Sequence, residues 1–202
     1  NFLVKMPHIT MFCHTKTNKY PYLYKMEMSK IVIISGSPRK NGKTQVLMKF
    51  VSEHLKENNS DVKFINLAEG GIDYYTGDGN HNETTKQAIK DITEADVWLV
   101  GTPIYNSFFS SALKNLFEYI DYRKTEGKTA GLVVLASGNI GFTDVQTLLT
   151  QLMSYFKVIT NPKAVFVTAD TIENGEIVND DVKTRLQTLI DQTLALATRT
   201  RA

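Results

Sequence analysis

The chain has 202 residues, of which 42% are hydrophobic and 22% are charged, a composition typical of a globular protein with one hydrophobic core. Its one cysteine, Cys13, excludes an internal disulfide framework and a cysteine-ligated iron–sulfur cluster. The formal net charge of +2 is no argument for a nucleic-acid partner. No uncharged apolar run approaches the roughly 18 residues that span a bilayer, so we expect no membrane partner either.

Residues 1–27 differ from the rest of the chain because they show no stable hydrophobic period. Four lysines and one glutamate give this segment a charge of +3, which leaves residues 28–202 near −1. We expect a domain over residues 28–202 that starts naturally at Met28. Residues 1–27 are then either a non-native or disordered extension, or an arm that packs on the body or on a partner subunit.

From residue 28 onward, short apolar runs alternate with segments of helical period. The runs suit strands that are buried on both faces, and they lie at residues 31–34, 62–67, 97–100, 132–135 and 164–167. Apolar stripes at helical spacing follow at residues 46–55, 83–93, 109–120, 145–156 and 182–196. This pattern predicts an α/β domain, a parallel sheet with helices on both faces joined by right-handed crossovers.

Ligands bind such sheets at the carboxyl ends of the strands, which directs attention to the loops 35–44, 101–107 and 137–142. The first loop suits an anion. Gly36 and Gly42 allow close backbone approach, Ser37 and Thr44 supply hydroxyl groups, and Arg39 can fork onto phosphate oxygens. The N-terminus of the following helix points free N–H groups into the same space. The alternative is a plain strand-to-helix turn with solvated charges.

The first loop fits neither of two common nucleotide motifs. Five residues separate Gly36 from Gly42, whereas a P-loop has four, and no acidic residue follows the third strand. The G-x-G-x-x-G pattern of dinucleotide-binding folds is also absent. An ATPase and a Rossmann dehydrogenase are therefore disfavoured.

The second and third loops suit a flat heteroaromatic ring. Tyr105 offers an aromatic face and Asn106 a side-chain amide, and Gly138 lets backbone N–H groups approach a ligand. The structural alternatives are that Tyr105 covers a strand end and that Asn106 caps the next helix.

The segments IVIISGSPRKNGKT (31–44) and GTPIYNSFFSSALKNLFEYID (101–121) resemble the NAD(P)H-dependent FMN reductase family. The resemblance implies a cytoplasmic, flavodoxin-like flavoprotein with strand order 2-1-3-4-5. It also implies non-covalent FMN, NADPH or NADH as electron donor, and a homodimer or homotetramer. The matching positions imply a phosphate site at Ser37, Arg39 and Thr44, with Asn41 and Lys43 in the same loop. They imply contacts with the isoalloxazine from Pro103, Ile104, Tyr105 and Asn106, and contacts with its other edge from Ser137, Gly138 and Asn139.

The resemblance implies transfer of hydride from the nicotinamide nucleotide to FMN, and onward reduction of a quinone, azo compound, nitroaromatic or flavin. We predict no metal site and no catalytic side chain, because hydride transfer to the cofactor needs no protein acid or base. A flavodoxin-type electron carrier without efficient NAD(P)H turnover is the main alternative, and a non-enzymatic nucleotide sensor is a third. The segment 69–83 is either a mobile flap over the substrate or a solvated loop.

Overall fold

The computed structural model describes residues 29–57 and 61–200. The predicted extension 1–27, the start at Met28 and the predicted helix end at 58–60 lie outside these residues. The described strands are β1 (Lys30–Ser35), β2 (Asp61–Asn66), β3 (Val97–Tyr105), β4 (Phe108–Phe109), β5 (Thr129–Ala136), β6 (Ile159–Thr160), β7 (Val165–Thr168), β8 (Ile172–Glu173) and β9 (Glu176–Ile177). The helices are α1 (Lys43–Glu57), α2 (Glu83–Glu94), α3 (Ser111–Glu118), α4 (Phe142–Tyr155) and α5 (Asp180–Thr200).

The main sheet is parallel, with β1 between β2 and β3 and β5 on the far side of β3. The predicted fifth strand, 164–167, corresponds to β7, which pairs with the carboxyl half of β5. The short strand β6, which was not predicted, pairs with the amino end of β5, and a break separates β6 from β7. At the break, the buried Asn161 donates from Nδ2 to Thr193 Oγ1 of α5, at 3.1 Å. The predicted doubly wound fold is confirmed. The strand order differs in detail from the predicted 2-1-3-4-5, because β6 and β7 share the place of the fifth strand beside β5. The antiparallel pairing of β4 with β3 and of β8 with β9 was not predicted.

Helices cover both faces of the sheet because the buried strands are apolar on both sides. Along β1, Ile31 and Ile33 pack in one core with α1 and α5, whereas Val32 and Ile34 pack in the other with α2, α3 and α4. The alternation follows from the two-residue period of a strand. The two cores hold the sheet rigid beneath the ends of its strands, where the loops emerge.

Two predicted boundaries near the third strand are wrong. Residues 101–105, predicted as loop, continue β3 and pair with β5 as far as Pro103 opposite Leu135. Strand β1 pairs with β3 only up to Gly101. Pro103 has no N–H to donate, and it is tolerated because β3 has no β1 partner at this position. Phe109, predicted as the start of a helix, lies in β4, because the helix begins only after Ser110.

None of the helices in residues 29–57 and 61–200 combines the length and the apolar character that a membrane span requires.

Candidate functional site

The carboxyl ends of β1, β3 and β5 lie side by side. Ser35 pairs with Gly101 and Pro103 pairs with Leu135, so the chain leaves β1 and β5 on either side of the projecting end of β3. The three loops predicted to bind a ligand therefore meet at one edge of the sheet. Such an edge, where neighbouring connections run to opposite faces, is the usual ligand crevice of an open α/β sheet.

The first loop passes unusually close to β3 at Gly36. The Gly36 N–H donates to the carbonyl oxygen of Gly101 at 2.8 Å, and a Cβ on Gly36 would lie only 2.7 Å from that oxygen. Glycine is required here because no side chain fits between the two backbones. On the other side, the hydroxyl of the fully buried Ser110 donates to the Gly36 carbonyl.

Ser110 also begins helix α3, since its hydroxyl oxygen accepts from Leu113 N at 3.1 Å as an N-cap. Its own N–H donates to Thr102 Oγ1 at 3.1 Å. The interpretation of Asn106 as the helix cap is therefore wrong. Sequence reasoning missed Ser110, although a serine before an apolar helical stripe is a recognisable N-cap signal.

Ser37, Arg39 and Tyr105 come together above the strand ends. The hydroxyl oxygens of Ser37 and Tyr105 are 3.2 Å apart, and Ser37 Oγ also accepts from the Arg39 N–H at 3.2 Å. The Arg39 guanidinium carbon lies 4.9 Å from the centre of the Tyr105 ring, within the range of a cation–π contact. Ser37 is buried, whereas Arg39 is exposed and free to approach an anion from solvent.

The N-terminus of α1 closes the first loop. Gly42 N donates to Arg39 O at 3.1 Å in the turn before α1, and Thr44 is buried in the first turn of the helix. The first-turn N–H groups of a helix have no carbonyl four residues back within that helix, so this end of α1 presents donors and partial positive charge.

Two predicted residues of the same loop have other partners. Lys43 Nζ donates to the carbonyl oxygen of Ala169, in the turn that follows β7. Asn41 adopts a left-handed conformation, with φ of 55°, and lines a separate groove of about 590 Å³ between α1 and the β8–β9 hairpin. The structure thus brings Ser37, Arg39 and Tyr105 into contact and places Thr44 in the first turn of α1, whereas Lys43 binds Ala169 and Asn41 lines the separate groove.

The second loop is the tip of a β-hairpin. Asn106 and Ser107 join β3 to β4, and both have positive φ, 49° and 63°. Two consecutive left-handed residues form the type I′ turn, whose twist matches that of paired strands. Left-handed non-glycine residues are strained and concentrate at functional sites. Half-buried Ile104 and Tyr105 precede the turn, and Asn106 lies exposed at its tip.

The third loop is open to solvent. Ser137, Gly138 and Asn139 are exposed directly after β5, and nothing lies within 4 Å of a Cβ placed on Gly138. The loop turns back at Gly141, where φ is 85° and the Ile104 side chain lies 3.5 Å from the position of a Cβ. The third loop therefore lies against the end of β3, with backbone groups free to meet a ligand.

The segment 69–83 is attached to α3. The carbonyl oxygen of Asp73 accepts from Asn115 Nδ2 and from the Tyr119 hydroxyl, both at 2.8 Å, and Tyr75 N donates to Asn115 Oδ1 at 2.9 Å. Burial raises the pKa of the Tyr119 hydroxyl above its usual value, and the charge of Asp73 raises it further. Tyr75 packs edge-on against Tyr119, whereas Tyr74 is exposed.

The first loop carries groups of the kind that bind phosphate, and Tyr105 adds an aromatic ring beside them. The hydroxyl of Ser37, the Arg39 guanidinium and the start of α1 are donors that suit a dianion. Beside these groups lie the hairpin and the third loop, at the carboxyl ends of the paired strands β3 and β5.

The sequence model of the NADPH-dependent FMN reductases matches residues 29–171, which contain all three loops. The chain belongs to the NADPH-dependent FMN reductase family. It is therefore an oxidoreductase, and the cofactor and donor of the family are FMN and NAD(P)H. The resemblance noted in the sequence is confirmed.

Individual relatives agree with this assignment. The chain is 27% identical over 132 residues to an NAD(P)H-dependent FAD/FMN reductase of Geobacillus thermodenitrificans, which covers 64% of this chain and 71% of the relative. It is 28% identical over 155 residues to an NADPH azoreductase of a Bacillus species, which covers 75% and 83%. Among solved structures, the flavoenzyme NAD(P)H:acceptor oxidoreductase FerB of Paracoccus denitrificans superposes with a TM-score of 0.69 at 21% identity, over 84% of this chain and 97% of that one. At that identity, the structural likeness shows the fold alone.

Proposed function

We propose that this reductase passes two electrons from NAD(P)H, through FMN bound in the crevice described above, to a small-molecule acceptor of the quinone, azo, nitroaromatic or flavin class. The convergence of Ser37, Arg39 and Tyr105 beside the N-terminus of α1 carries the proposal, since it joins phosphate donors to an aromatic face at one strand edge. When bound, FMN supplies the hydride-accepting and electron-donating chemistry. Overall, NAD(P)H, a proton and a quinone give NAD(P)⁺ and the hydroquinone.

The phosphate is assigned to the first loop. Ser37 and Thr44 would donate hydrogen bonds from their hydroxyls. Arg39 would pair with the phosphate oxygens, either keeping its contact with the Tyr105 ring or moving away from it. The N–H groups at the start of α1 would complete the shell. Asn41 and Lys43 belong to the same loop and are proposed as outer contacts, since Lys43 is held by the Ala169 carbonyl.

The ring is assigned to the space between the second and third loops. Pro103, Ile104, Tyr105 and Asn106 would flank it on the β3 side, and Ser137, Gly138 and Asn139 would meet its other edge through backbone groups. These residues bind and orient the ring and exclude water from one side of it. None of them needs to move a proton in the hydride-transfer half of the reaction.

Two further properties remain proposals. We expect a homodimer or homotetramer in the cytoplasm, where reduced nicotinamide nucleotides are available. Light scattering on the purified protein gives the assembly, and fractionation of the source cells gives the location.

Reconstitution followed by turnover tests the function. Protein stripped of flavin and mixed with FMN should bind it stoichiometrically and then oxidise NADPH or NADH steadily in the presence of a quinone. Tight FMN binding with no turnover of either nucleotide would identify an electron carrier instead. Absence of flavin binding would remove the proposal altogether.

A further inference from the structure

Two fully buried hydroxyl groups lie at the base of the hairpin, on Thr102 of β3 and on Ser110 directly after β4. The Ser110 N–H donates to Thr102 Oγ1 at 3.1 Å, and the Thr102 hydroxyl donates to the carbonyl oxygen of Pro103, also at 3.1 Å. Thr102 therefore uses its hydroxyl both as acceptor and as donor. A buried polar network whose members are all paired makes the segments that it joins rigid.

The same pair of hydroxyls reaches the first loop through Ser110. Its hydroxyl donates to the Gly36 carbonyl, and the Gly36 N–H donates to the Gly101 carbonyl oxygen at 2.8 Å. Gly36 is thus held on one side by β3 and on the other side by the cap of α3. Since Ser37 follows directly, the first loop leaves β1 from a point that β3 and α3 fix together.

The contacts between the first loop and the hairpin form a closed circuit. On one side, the hydroxyl oxygens of Ser37 and Tyr105 are 3.2 Å apart, in a contact that is only partly buried. On the other side, Thr102 and Ser110 join the same two segments through contacts that are fully buried. Hydrogen bonds are stronger where the local dielectric is low. The buried pair therefore sets the spacing to which the partly exposed groups adjust.

We propose that Thr102, acting through Ser110, is a positioning residue that aligns the first loop with the hairpin so that one FMN molecule can bind both. Neither residue needs to touch the cofactor. Binding groups act together only while supporting hydrogen bonds hold them close to the productive geometry. The inference rests on the proposed function, because it assumes that FMN binds across the first loop and the hairpin.

Riboflavin, which has the flavin ring but no phosphate, makes the proposal testable. Its binding needs the hairpin, whereas FMN needs the hairpin and the first loop in alignment. Thr102→Val keeps the shape of the side chain and leaves the buried Ser110 N–H without its acceptor. The dissociation constant for FMN should rise by about five- to thirtyfold. That for riboflavin should rise by less than about twofold. Quenching of flavin fluorescence on titration with flavin-free protein gives both constants.

Thr125→Val is the matched control. Thr125 is also a fully buried threonine, and its hydroxyl donates to the Phe156 carbonyl oxygen at 2.6 Å. It lies just before the amino end of β5, whereas the crevice lies at the carboxyl end of that strand. Both substitutions should lower the urea concentration at which the protein unfolds, but only Thr102→Val should weaken FMN binding. A loss of stability alone leaves the dissociation constant of a protein that is still folded unchanged.

Two further variants keep the test decisive if Thr102→Val does not fold. Thr102→Ser retains the hydroxyl and should keep the FMN constant within about twofold of the wild-type value. Ser110→Ala removes the donor to the Gly36 carbonyl while the Thr102 hydroxyl remains. It should raise the FMN constant by about five- to thirtyfold, as Thr102→Val does.

Three results would overturn the inference. The first is an unchanged FMN constant in Thr102→Val or, where that variant does not fold, in Ser110→Ala. The second is an equal rise for FMN and riboflavin, which would confine the effect to the hairpin. The third is an equal rise in Thr125→Val, which would indicate a general loss of rigidity. Because no nucleotide is present, a wild-type protein that binds FMN but does not oxidise NAD(P)H would contradict the proposed function while leaving this comparison intact.

Discussion

The hydroxyl oxygen of Tyr105 lies 3.2 Å from that of Ser37, although the two residues are 68 positions apart in the chain. The contact joins the loop after β1 to the hairpin that extends β3. It places an aromatic ring beside the residues that suit a phosphate, so one crevice can hold both ends of a flavin nucleotide.

Arg39→Ala should weaken FMN binding. A charged hydrogen-bond set contributes roughly 1.5–3 kcal/mol, so the dissociation constant should rise by about 10- to 150-fold. Lys40→Ala is the matched control, because Lys40 is an exposed cation one residue away and should matter much less. Equilibrium titration of the stripped proteins with FMN gives both values. Equal constants for wild type and Arg39→Ala would remove Arg39 from the phosphate site.

Gly36→Ala should destabilise the protein, whereas Gly138→Ala should not. The new Cβ at residue 36 would lie 2.7 Å from Gly101 O and force the two backbones apart, while nothing lies within 4 Å of a Cβ at residue 138. We expect a loss of about 1–3 kcal/mol in the first variant and a change within about 0.5 kcal/mol in the second. Urea denaturation of the two flavin-free variants measures both, and similar midpoints would contradict the close approach.

Ser110→Ala should lower the free energy of unfolding by about 2 kcal/mol. The substitution removes the N-cap of α3 and leaves the Gly36 carbonyl without its hydroxyl donor, each worth about 1 kcal/mol. Ser111→Ala changes the exposed neighbour and should leave stability nearly unchanged. If both variants unfold at the wild-type urea concentration, Ser110 does not support the site.

Tyr119→Phe should lose about 1 kcal/mol of stability near pH 8, because the hydrogen bond to Asp73 O is removed. Burial raises the pKa of Tyr119 in the folded protein above the ordinary value of 10.0. The proton is therefore held more tightly in the folded state, and the contribution of Tyr119 declines as the pH rises above about 10. The stability gap between wild type and variant should narrow there.

Denaturation at pH 8 and at pH 10.5 measures this gap. Tyr74→Phe is the control, since Tyr74 is almost fully exposed and should track the wild type at both values. A gap that widens at high pH would contradict the environment described for Tyr119.

The sequence was sufficient for the parallel sheet and for the three loops at its edge, because buried strands and helical stripes leave strong periodic signals. Predictions from the sequence were wrong where tertiary contacts override local signals. Residues 101–105 contain a glycine and a proline and look like a loop. Pairing with β5 as far as Pro103, and with β4 beyond it, keeps them in a strand. Phe109 fits a helical stripe, but the cap at Ser110 starts the helix after it.

Within the site, the residue types of the first loop were readable, but their partners were not. The direction of Lys43 toward Ala169 depends on a turn more than a hundred residues away. The Asn106–Ser107 turn carries no glycine, so its only local signature was Asn106, a residue type that tolerates left-handed backbone.

The most direct test of the account is the absorbance spectrum of FMN-loaded protein before and after NADPH is added without oxygen. We expect a flavin spectrum in the protein fraction that bleaches on mixing and returns when menadione is admitted. A protein that takes up no FMN, or whose bound flavin keeps its colour with both NADPH and NADH, would contradict the central claim.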